Sequence, residues 1–284
     1  MSTNEFNSKG LTIKAMELRK VVLDMIMGAG CGHIGGDFSA MDILVTLYFD
    51  QMNICPENQD DPDRDYFVMS KGHSVESYYA VLAAKGFFPT EDVVNRFSRF
   101  GSPYIGHPNN ELPGIEMNTG SLGHGLPVCT GIALGCAKDH RPSRVYTVIG
   151  DGELAEGSVW EGFMAAGHYG LSNLCAVIDR NQLQISGTTK DVMNHENLLG
   201  QVESFGWHVI EVNGNDIAAL HDAFEEARKI KDRPTCIIAD TIKGYGGGQV
   251  MENRVPWHHH VPTQEEYDQI RAELDKKLED LRNE

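Results

Sequence analysis

The stretch that decides the fold is residues 144–183, RVYTVIGDGELAEGSVWEGFMAAGHYGLSNLCAVIDRNQL. Residues 145–149 form an apolar run rich in β-branched side chains, which predicts a buried parallel strand. A helix is predicted over 156–168, and a second apolar run at 174–178 predicts another strand. The stretch is therefore one β-α-β unit. Polar residues follow both strands, at the edge where open α/β sheets bind ligands.

A glycine-bounded carboxylate, Gly150-Asp151-Gly152, follows the first strand. With the residues after it, the turn matches G-x-G-x-x-A, the dinucleotide fingerprint. A carboxylate at this place would repel a pyrophosphate unless a divalent cation lay between them. Asp151, Asn181 and the backbone carbonyl of Leu183 offer the oxygen ligands that Mg²⁺ prefers. The glycines allow phosphates to approach the backbone. The alternative is a simple tight turn between strand and helix.

Composition bounds the classes of function. The chain has 284 residues, 24 basic and 41 acidic, and a net charge of −17. This charge argues against binding to nucleic acid or an acidic membrane. The sequence shows no signal peptide or long apolar run, so we expect a cytoplasmic protein. The six cysteines form no C-x-x-C pair and are expected to be reduced, without a zinc site or disulfide framework.

The rest of the chain alternates helical and strand patterns, so we expect a single α/β domain over 1–284, with a doubly wound, mostly parallel sheet and helices on both faces. Ser39 is expected to cap a helix over 40–49. Loops are expected over 90–118 and 186–194. The remaining elements expected are helices 8–29, 75–85, 126–138, 195–204 and 216–230, strands 66–70, 207–212 and 235–241, a mobile loop over about 243–262, and a surface helix over 263–282.

Histidines recur in glycine-rich or strand-end segments. His33 lies in GHIGG, His73 in KGHS after a predicted strand, His107 in GHP, and His258 in WHHH. A loop histidine is usually only a surface residue, but neighbouring glycines let a ligand come close. His259 and His260, which follow His258, point in different directions in a strand or loop, so the three do not easily share one metal.

These motifs carry a resemblance to a known family. G-D-G followed about thirty residues later by Asn resembles the thiamine diphosphate motif, and residues 150–184 closely resemble transketolase. The resemblance extends over most of the chain. It implies the diphosphate-binding (PP) domain fold, with thiamine diphosphate and Mg²⁺, or alternatively Ca²⁺ or Mn²⁺, as cofactors. The departures are Ile34 for Pro, Ser121 for Pro, His124 for Gln and His259 for Gly.

The resemblance also implies roles for single residues. His33 and His258 are expected to transfer protons and recognise hydroxyl groups, which suits imidazole. His107 is expected to bind the donor's terminal hydroxyl, and His73 to lie at the diphosphate. Glu156 resembles the glutamate that links two active sites, or it simply complements the helix dipole. The full set of expected cofactor contacts is His73, Gly120, Ser121, Leu122, Gly150, Asp151, Gly152, Glu153, Glu156, Asn181 and His258.

In the family, a glutamate on a second domain activates the cofactor. We therefore expect this chain to be the amino-terminal subunit of a split transketolase. It would form a heterotetramer with a carboxy-terminal partner, with two copies of each chain. Its reaction would move a two-carbon ketol unit from a ketose to an aldose, as in pentose phosphate metabolism, with phosphate, sulfonate or free sugar ends left open. The alternatives are the α-subunit of a 2-oxo acid dehydrogenase, a deoxyxylulose-phosphate synthase fragment, and a non-catalytic regulatory paralogue.

Overall fold

The computed structural model describes residues 6–283. The strands are β1 (Tyr66–Met69), β2 (Val145–Gly150), β3 (Leu174–Arg180), β4 (Leu183–Gln184), β5 (Gly187–Thr188), β6 (His208–Asn213) and β7 (Thr235–Asp240). Five of them form one sheet in the order β1-β2-β3-β7-β6, and every pairing in it is parallel. The strands β4 and β5 form a separate antiparallel pair. The predicted parallel sheet is confirmed.

Ten helices surround the sheet in the described residues. They are α1 (Ser8–Ala29), α2 (Ile34–Thr46), α3 (Val75–Lys85), α4 (Thr90–Arg96), α5 (Gly125–Lys138), α6 (Gly157–His168), α7 (Thr189–Val192), α8 (Leu198–Glu203), α9 (Ile217–Lys229) and α10 (Gln264–Asn283). In 6–283 none of these helices has both the length and the apolar character needed to cross a bilayer.

Helices cover both faces of the sheet, as predicted. Alternate strand residues point to opposite faces, so Val148 and Val177 join one core while Ile149 and Ile178 join the other. The first core is formed with α1, α2, α3 and α9, and the second with α5, α6 and α8. This two-sided burial explains the continuous apolar runs in β2 and β3.

The predicted start of the second helix is wrong. Helix α2 begins at Ile34, and Ser39 lies inside it with its hydroxyl donating to the carbonyl of Gly36 at 3.0 Å. The prediction excluded Gly35 and Gly36 from the helix because glycine has a low helix propensity at interior helix positions. Close packing decides instead: a Cβ on Gly35 would lie 2.5 Å from the carbonyl oxygen of Trp257.

Two predicted loops contain short elements. Helix α4 lies within 90–118, while β5 and α7 lie within 186–194. Only Val93 of α4 is buried, so this helix has no apolar periodicity to reveal it. The helix predicted over 195–204 begins instead at Leu198, and a 3-10 turn, Gly152–Ala155, precedes α6.

The segment that follows β7 crosses the carboxyl edge of the sheet. Met251 and Trp257 are buried, and a 3-10 turn spans Val255–His258. Helix α10 then packs Ile270, Leu274 and Leu278 against the core and leaves its charged faces outside. The mobility expected of the segment stays a prediction.

Candidate active site

Polar side chains gather where four parallel strands end. Lys71 lies just beyond β1, Asp151 follows β2, Asn181 follows β3 and Lys243 lies beyond β7. A cavity of about 160 Å³ opens between these four side chains, with His258 on its wall. The cavity lies at the edge of the sheet where the sequence predicts ligand binding.

The three predicted metal ligands, Asp151, Asn181 and Leu183, all line this cavity. The carboxylate of Asp151 accepts a hydrogen bond from the N–H of Gln182 at 2.5 Å. Burial, followed by the negative charge of Asp179, raises the pKa of Asp151 to about 7. A cation beside Asp151 would offset this cost. All three ligands offer oxygen atoms, which fit a hard cation such as Mg²⁺.

This donor set suits a metal that arrives with a phosphorylated ligand. Within residues 6–283, no group of three or more His, Cys, Asp or Glu side chains is arranged to hold a metal ion. Mg²⁺ is usually bound by one or two carboxylates, and phosphate oxygens and water complete its shell. Asp151 with two neutral oxygens meets that requirement.

Two buried lysines face the same cavity. The ammonium group of Lys243 lies 3.1 Å from the carbonyl oxygen of Leu183 and 3.1 Å from Nδ1 of His258. Burial and the charge of Lys71 lower the pKa of Lys243 to about 8. An anionic group in the cavity would stabilise both ammonium groups, and a diphosphate has that chemistry.

Asp179 is the buried counter-ion of Lys71. Its carboxylate accepts hydrogen bonds from Lys71 Nζ at 2.5 Å, from Ser39 Oγ at 2.7 Å and from the hydroxyl of Thr241. Burial acts to raise the pKa of Asp179, but the charge of Lys71 and these hydrogen bonds hold it below its usual value. The pair joins the carboxyl ends of β1 and β3 beneath the cavity.

Glu153 ties three loops together from the turn after Asp151. Its carboxylate accepts hydrogen bonds from the N–H of Gly123 at 2.8 Å, from the N–H of Gly150 at 3.1 Å and from the hydroxyl of Ser70. Burial raises the pKa of Glu153. Its side chain both lines the cavity and fixes the backbone around it.

Four imidazole rings crowd beside the cavity. The ring centroid of His33 lies 5.2 Å from that of His73, 5.7 Å from that of His258 and 4.6 Å from that of His259. The rings of His73 and His258 are stacked at 5.3 Å. Three chain segments, distant in sequence, are thus brought to one place.

Burial keeps the core of this cluster neutral. Burial and the nearby His259 lower the pKa of His33 to about 4, and burial with the charge of Lys243 lowers the pKa of His258 to about 3. Burial and Lys71 lower the pKa of His73 well below its usual value. Neutral imidazoles each carry one donor and one acceptor, so they suit hydroxyl recognition and proton transfer.

Other predicted site residues lie around the rim. The ring of His107 packs on Gly120, where an added Cβ would lie 2.7 Å from it; burial lowers the pKa of His107. Leu122, Gly150 and Gly152 line the cavity. Ser121 and Glu156 are exposed, and the side chain of Glu156 lies against Gly123 instead of in the cavity.

The histidines without an expected role have separate contacts. His124 is exposed, with Nδ1 3.1 Å from the carbonyl oxygen of Leu122. His260 has Nε2 2.8 Å from the carboxylate of Glu266. His258 and His259 contact Lys243 and His33, so the three consecutive histidines point to different partners.

Lys71, Asp179 and Lys243 also belong to the site, although they were not among the site residues predicted from the sequence. The available signal was their position, because each lies at or just beyond the carboxyl end of a strand in the sheet. Ser39 and Thr241 carried no such signal, since their hydroxyls reach Asp179 only after the sheet has formed.

The fold and this site define a ligand-binding α/β domain whose cavity carries both cationic groups and a buried acid. Comparison with known proteins makes the class specific. Residues 11–278 match the family model described as "Transketolase, thiamine diphosphate binding domain". The chain belongs to this family.

Its relatives include short, separate subunits. The chain is 43% identical over 274 residues to an apulose-4-phosphate transketolase subunit of Phocaeicola vulgatus, covering 96% of this chain and 97% of that protein. It is 39% identical over 265 residues to 6-deoxy-6-sulfo-D-fructose transketolase subunit SqwG of Clostridium sp. (strain MSTE9), with coverages of 93% and 96%. These relatives support the transketolase interpretation over the dehydrogenase, synthase and non-catalytic alternatives.

Solved transketolases share the fold. A mutant transketolase of Pichia stipitis superposes with a TM-score of 0.86 at 31% identity, and the match covers 93% of this chain and 40% of that one. The transketolase of Leishmania mexicana gives a TM-score of 0.85 at 28% identity, covering 98% and 45%. The chain therefore spans less than half of these transketolases, and the predicted PP-domain fold is confirmed.

Proposed function

We propose that this chain is the amino-terminal subunit of a thiamine diphosphate-dependent transketolase. With a carboxy-terminal partner it transfers a two-carbon ketol unit from a ketose to an aldose. The observation that carries the proposal is the cavity in which Asp151 and two buried lysines face neutral imidazoles. This arrangement suits a phosphorylated cofactor on one side and sugar hydroxyls on the other.

The cavity would hold the cofactor by its diphosphate end. Asp151, Asn181 and the carbonyl of Leu183 would bind Mg²⁺, and Lys71 and Lys243 would face the phosphate charges. Once bound, thiamine diphosphate supplies the carbon nucleophile that the reaction needs. Gly120, Ser121 and Leu122 belong to the rim loop that we assign to the cofactor's aminopyrimidine.

The histidines would handle the sugar. His33 and His258 are neutral near pH 7, so each ring can accept a hydrogen bond from one hydroxyl and donate one to another, and its free nitrogen can take up a hydroxyl proton and later return it. His107, on the rim beside Gly120, would bind the donor's terminal hydroxyl. His73 stacks on His258 and lines the cavity, so it would lie between the diphosphate and the sugar.

A partner chain would complete the site and supply the activating glutamate. The similar proteins from Phocaeicola vulgatus and Clostridium are named as subunits. Ile185, on the cavity wall, is 68% exposed, so the cavity is open to a second chain on this side. We propose a heterotetramer with two copies of each subunit, in which Glu156 links the sites.

The substrate would be a sugar of carbohydrate metabolism with an anionic end. The names of the similar proteins specify a sugar phosphate in one case and a sulfonated sugar in the other. A panel of ketose donors that end in phosphate, sulfonate or a free hydroxyl would separate these classes. A free sugar that is used as well as both anionic donors would contradict an anionic end.

Reconstitution tests the proposal. The purified chain should transfer no ketol unit with thiamine diphosphate and Mg²⁺ alone, and should do so once a carboxy-terminal transketolase subunit from the same source is added. Transfer to an aldose acceptor is followed by mass spectrometry of the sugars. An ordinary enzymatic rate without a partner would contradict the split-subunit proposal, and transfer to a lipoyl domain would favour the dehydrogenase.

A further inference from the structure

Two carboxyl groups are buried side by side beneath the histidine cluster. Asp37 lies in the first turn of α2 and is fully buried, and Glu76 lies in the first turn of α3 and is 1% exposed. Helix α2 begins directly after His33, and α3 begins two residues after His73. The two acids therefore lie where the histidine-bearing loops meet.

Each acid binds backbone that belongs to the other helix or its loop. Glu76 Oε1 accepts a hydrogen bond from the N–H of His33 at 3.2 Å, and Asp37 Oδ1 accepts one from the N–H of Ser77 at 2.9 Å. Gly32 has φ of +150°, and a Cβ there would lie 2.4 Å from Glu76 Oε1. The loop is thus folded closely onto the Glu76 carboxyl.

The remaining two carboxyl oxygens need a proton. In the part of the chain that the structure describes, Asp37 Oδ2 and Glu76 Oε2 have no hydrogen-bond partner, and the nearby Asp37 carboxyl raises the pKa of Glu76 beyond the effect of burial. Two ionised carboxylates cannot satisfy one another, because both only accept. One proton between them makes one acid a donor and satisfies both groups.

The surrounding charges favour one negative charge on the pair. The N-termini of α2 and α3 both stabilise an anion. The nearest cation is Lys71, whose ammonium is bound to Asp179 and to the carbonyl of Gly36. The phenol of Tyr79 also lies near Glu76, and His33 contacts Glu76 through its backbone N–H. Tyr79 is neutral near pH 7, because burial raises its pKa, so it offers no compensation for a second negative charge.

The pKa values agree with this geometry. Burial raises the pKa of Asp37 to about 7, and burial with the charge of Asp37 raises the pKa of Glu76 well above its usual value. The pair therefore keeps one proton at neutral and mildly alkaline pH.

We propose that Asp37 and Glu76 share a single proton and act together as positioning residues that hold the loop of His33 against the loop of His73. The assignment of a shared proton does not depend on the proposed function. Only the expected effect of the pair on ketol transfer rests on the proposed function. The acid pair fixes the rings of His33 and His73 at their centroid distance of 5.2 Å. Neither acid touches the substrate.

Infrared spectroscopy of the full chain tests the shared proton. At mildly alkaline pH the parent should show the C=O stretch of a protonated carboxyl group. Glu76→Gln should abolish this band, because the amide donates to Asp37 in place of the proton, and Asp37→Asn should abolish it for the converse reason. Glu91→Gln, at an exposed position in the first turn of α4, should retain it. Persistence of the band in both variants would overturn the proposal.

Histidine ¹⁵N resonances test the positioning role. Glu76→Ala should shift the resonances of His33 and His73, whereas Glu76→Gln should leave them near the parent positions, because its amide oxygen still accepts from the N–H of His33. If Glu76→Ala fails to fold, Asp37→Ala takes its place. Equal perturbation by Gln and Ala, or none by either Ala variant, would overturn the role.

Kinetics of the complex with its partner separates this proposal from the proposed function. Glu76→Ala should lower kcat about tenfold or more with cofactor retained, and Glu76→Gln less than about twofold, because small misplacements of reacting groups are costly. Failure of the parent complex to transfer ketol units would contradict the proposed function, while the infrared and resonance results would still decide the shared proton. Normal kcat in Glu76→Ala would overturn the positioning role.

Discussion

Lys71 Nζ lies 2.5 Å from Asp179 Oδ2, and both side chains are almost completely buried, at 2% and 0% exposure. This ion pair joins the ends of β1 and β3 directly under the cavity. Removing one partner of a buried pair leaves an uncompensated charge, which costs more than the net contribution of the intact pair.

Lys71→Met should therefore lower the free energy of unfolding by about 3–5 kcal/mol. Chemical denaturation of the chain without ligands measures this. Lys231→Met, at an exposed position before β7, is the matched control and should change stability little. If Lys71→Met lost no more unfolding free energy than the control, the Lys71–Asp179 pair would not stabilise the ends of the strands.

Asp151→Ala should abolish binding of Mg²⁺ and thiamine diphosphate, because the site loses its charged oxygen ligand. Isothermal titration calorimetry of the chain with its partner measures both affinities. Asp240→Ala removes an exposed carboxylate at the end of β7 and should bind both as the parent does. An unchanged cofactor affinity in Asp151→Ala would refute the metal assignment.

Glu153→Gln should destabilise the chain by about 1–3 kcal/mol, because the new amide turns a donor toward backbone N–H groups that need an acceptor. The N–H groups concerned are those of Gly123 and Gly150. Thermal unfolding gives the difference, with Glu161→Gln on the exposed side of α6 as control. Equal stabilities of the two variants would mean that the loop contacts contribute little.

Acid should destabilise the chain partly through its buried histidines. The pKa values of His33 and His258 are about 4 and about 3 in the folded chain, below the value of about 6.5 for an unfolded histidine. The unfolded state therefore binds more protons once the pH falls below about 6.5, and stability is lost progressively toward pH 4.

His33→Gln tests this pH dependence. Because the variant lacks one such group, its stability should fall less steeply than that of the parent between about pH 6.5 and pH 4. Urea denaturation across this range measures both slopes. Parallel slopes would show that His33 titrates alike in the folded and unfolded states.

His258→Ala should lower turnover of the reconstituted complex about 10²–10⁴-fold, as expected for loss of a proton-transfer group, while cofactor binding is retained. His260→Ala is the matched control, since His260 binds Glu266 away from the cluster. Loss of cofactor binding in His258→Ala would place this residue at the phosphates instead.

Strands and motif residues could be predicted from the sequence because their signals are local. The runs that became β2 and β3 are apolar on both faces, and Asp151 and Asn181 follow them directly. The start of α2 could not be predicted, because Gly35 and Gly36 disfavour a helix and only packing against Trp257 and Ser74 explains them.

The contact between Asp37 and Glu76 could not be predicted from the sequence either. Nothing in GGD or SVES indicates that Asp37 and Glu76 meet, since they are brought together only when α2 packs against α3. Likewise Lys71 and Asp179 are 108 residues apart, and their pairing follows from the parallel order of β1, β2 and β3. Contacts that depend on the order of strands in the sheet cannot be predicted from sequence motifs alone.

We propose above all that this chain forms one half of a shared transketolase site. Native mass spectrometry of the protein purified from its own source, with thiamine diphosphate and Mg²⁺ present, tests it most directly. We predict a complex that contains two copies of this chain, two copies of a second chain and bound cofactor. A homo-oligomer that binds the cofactor without any second chain would contradict the account.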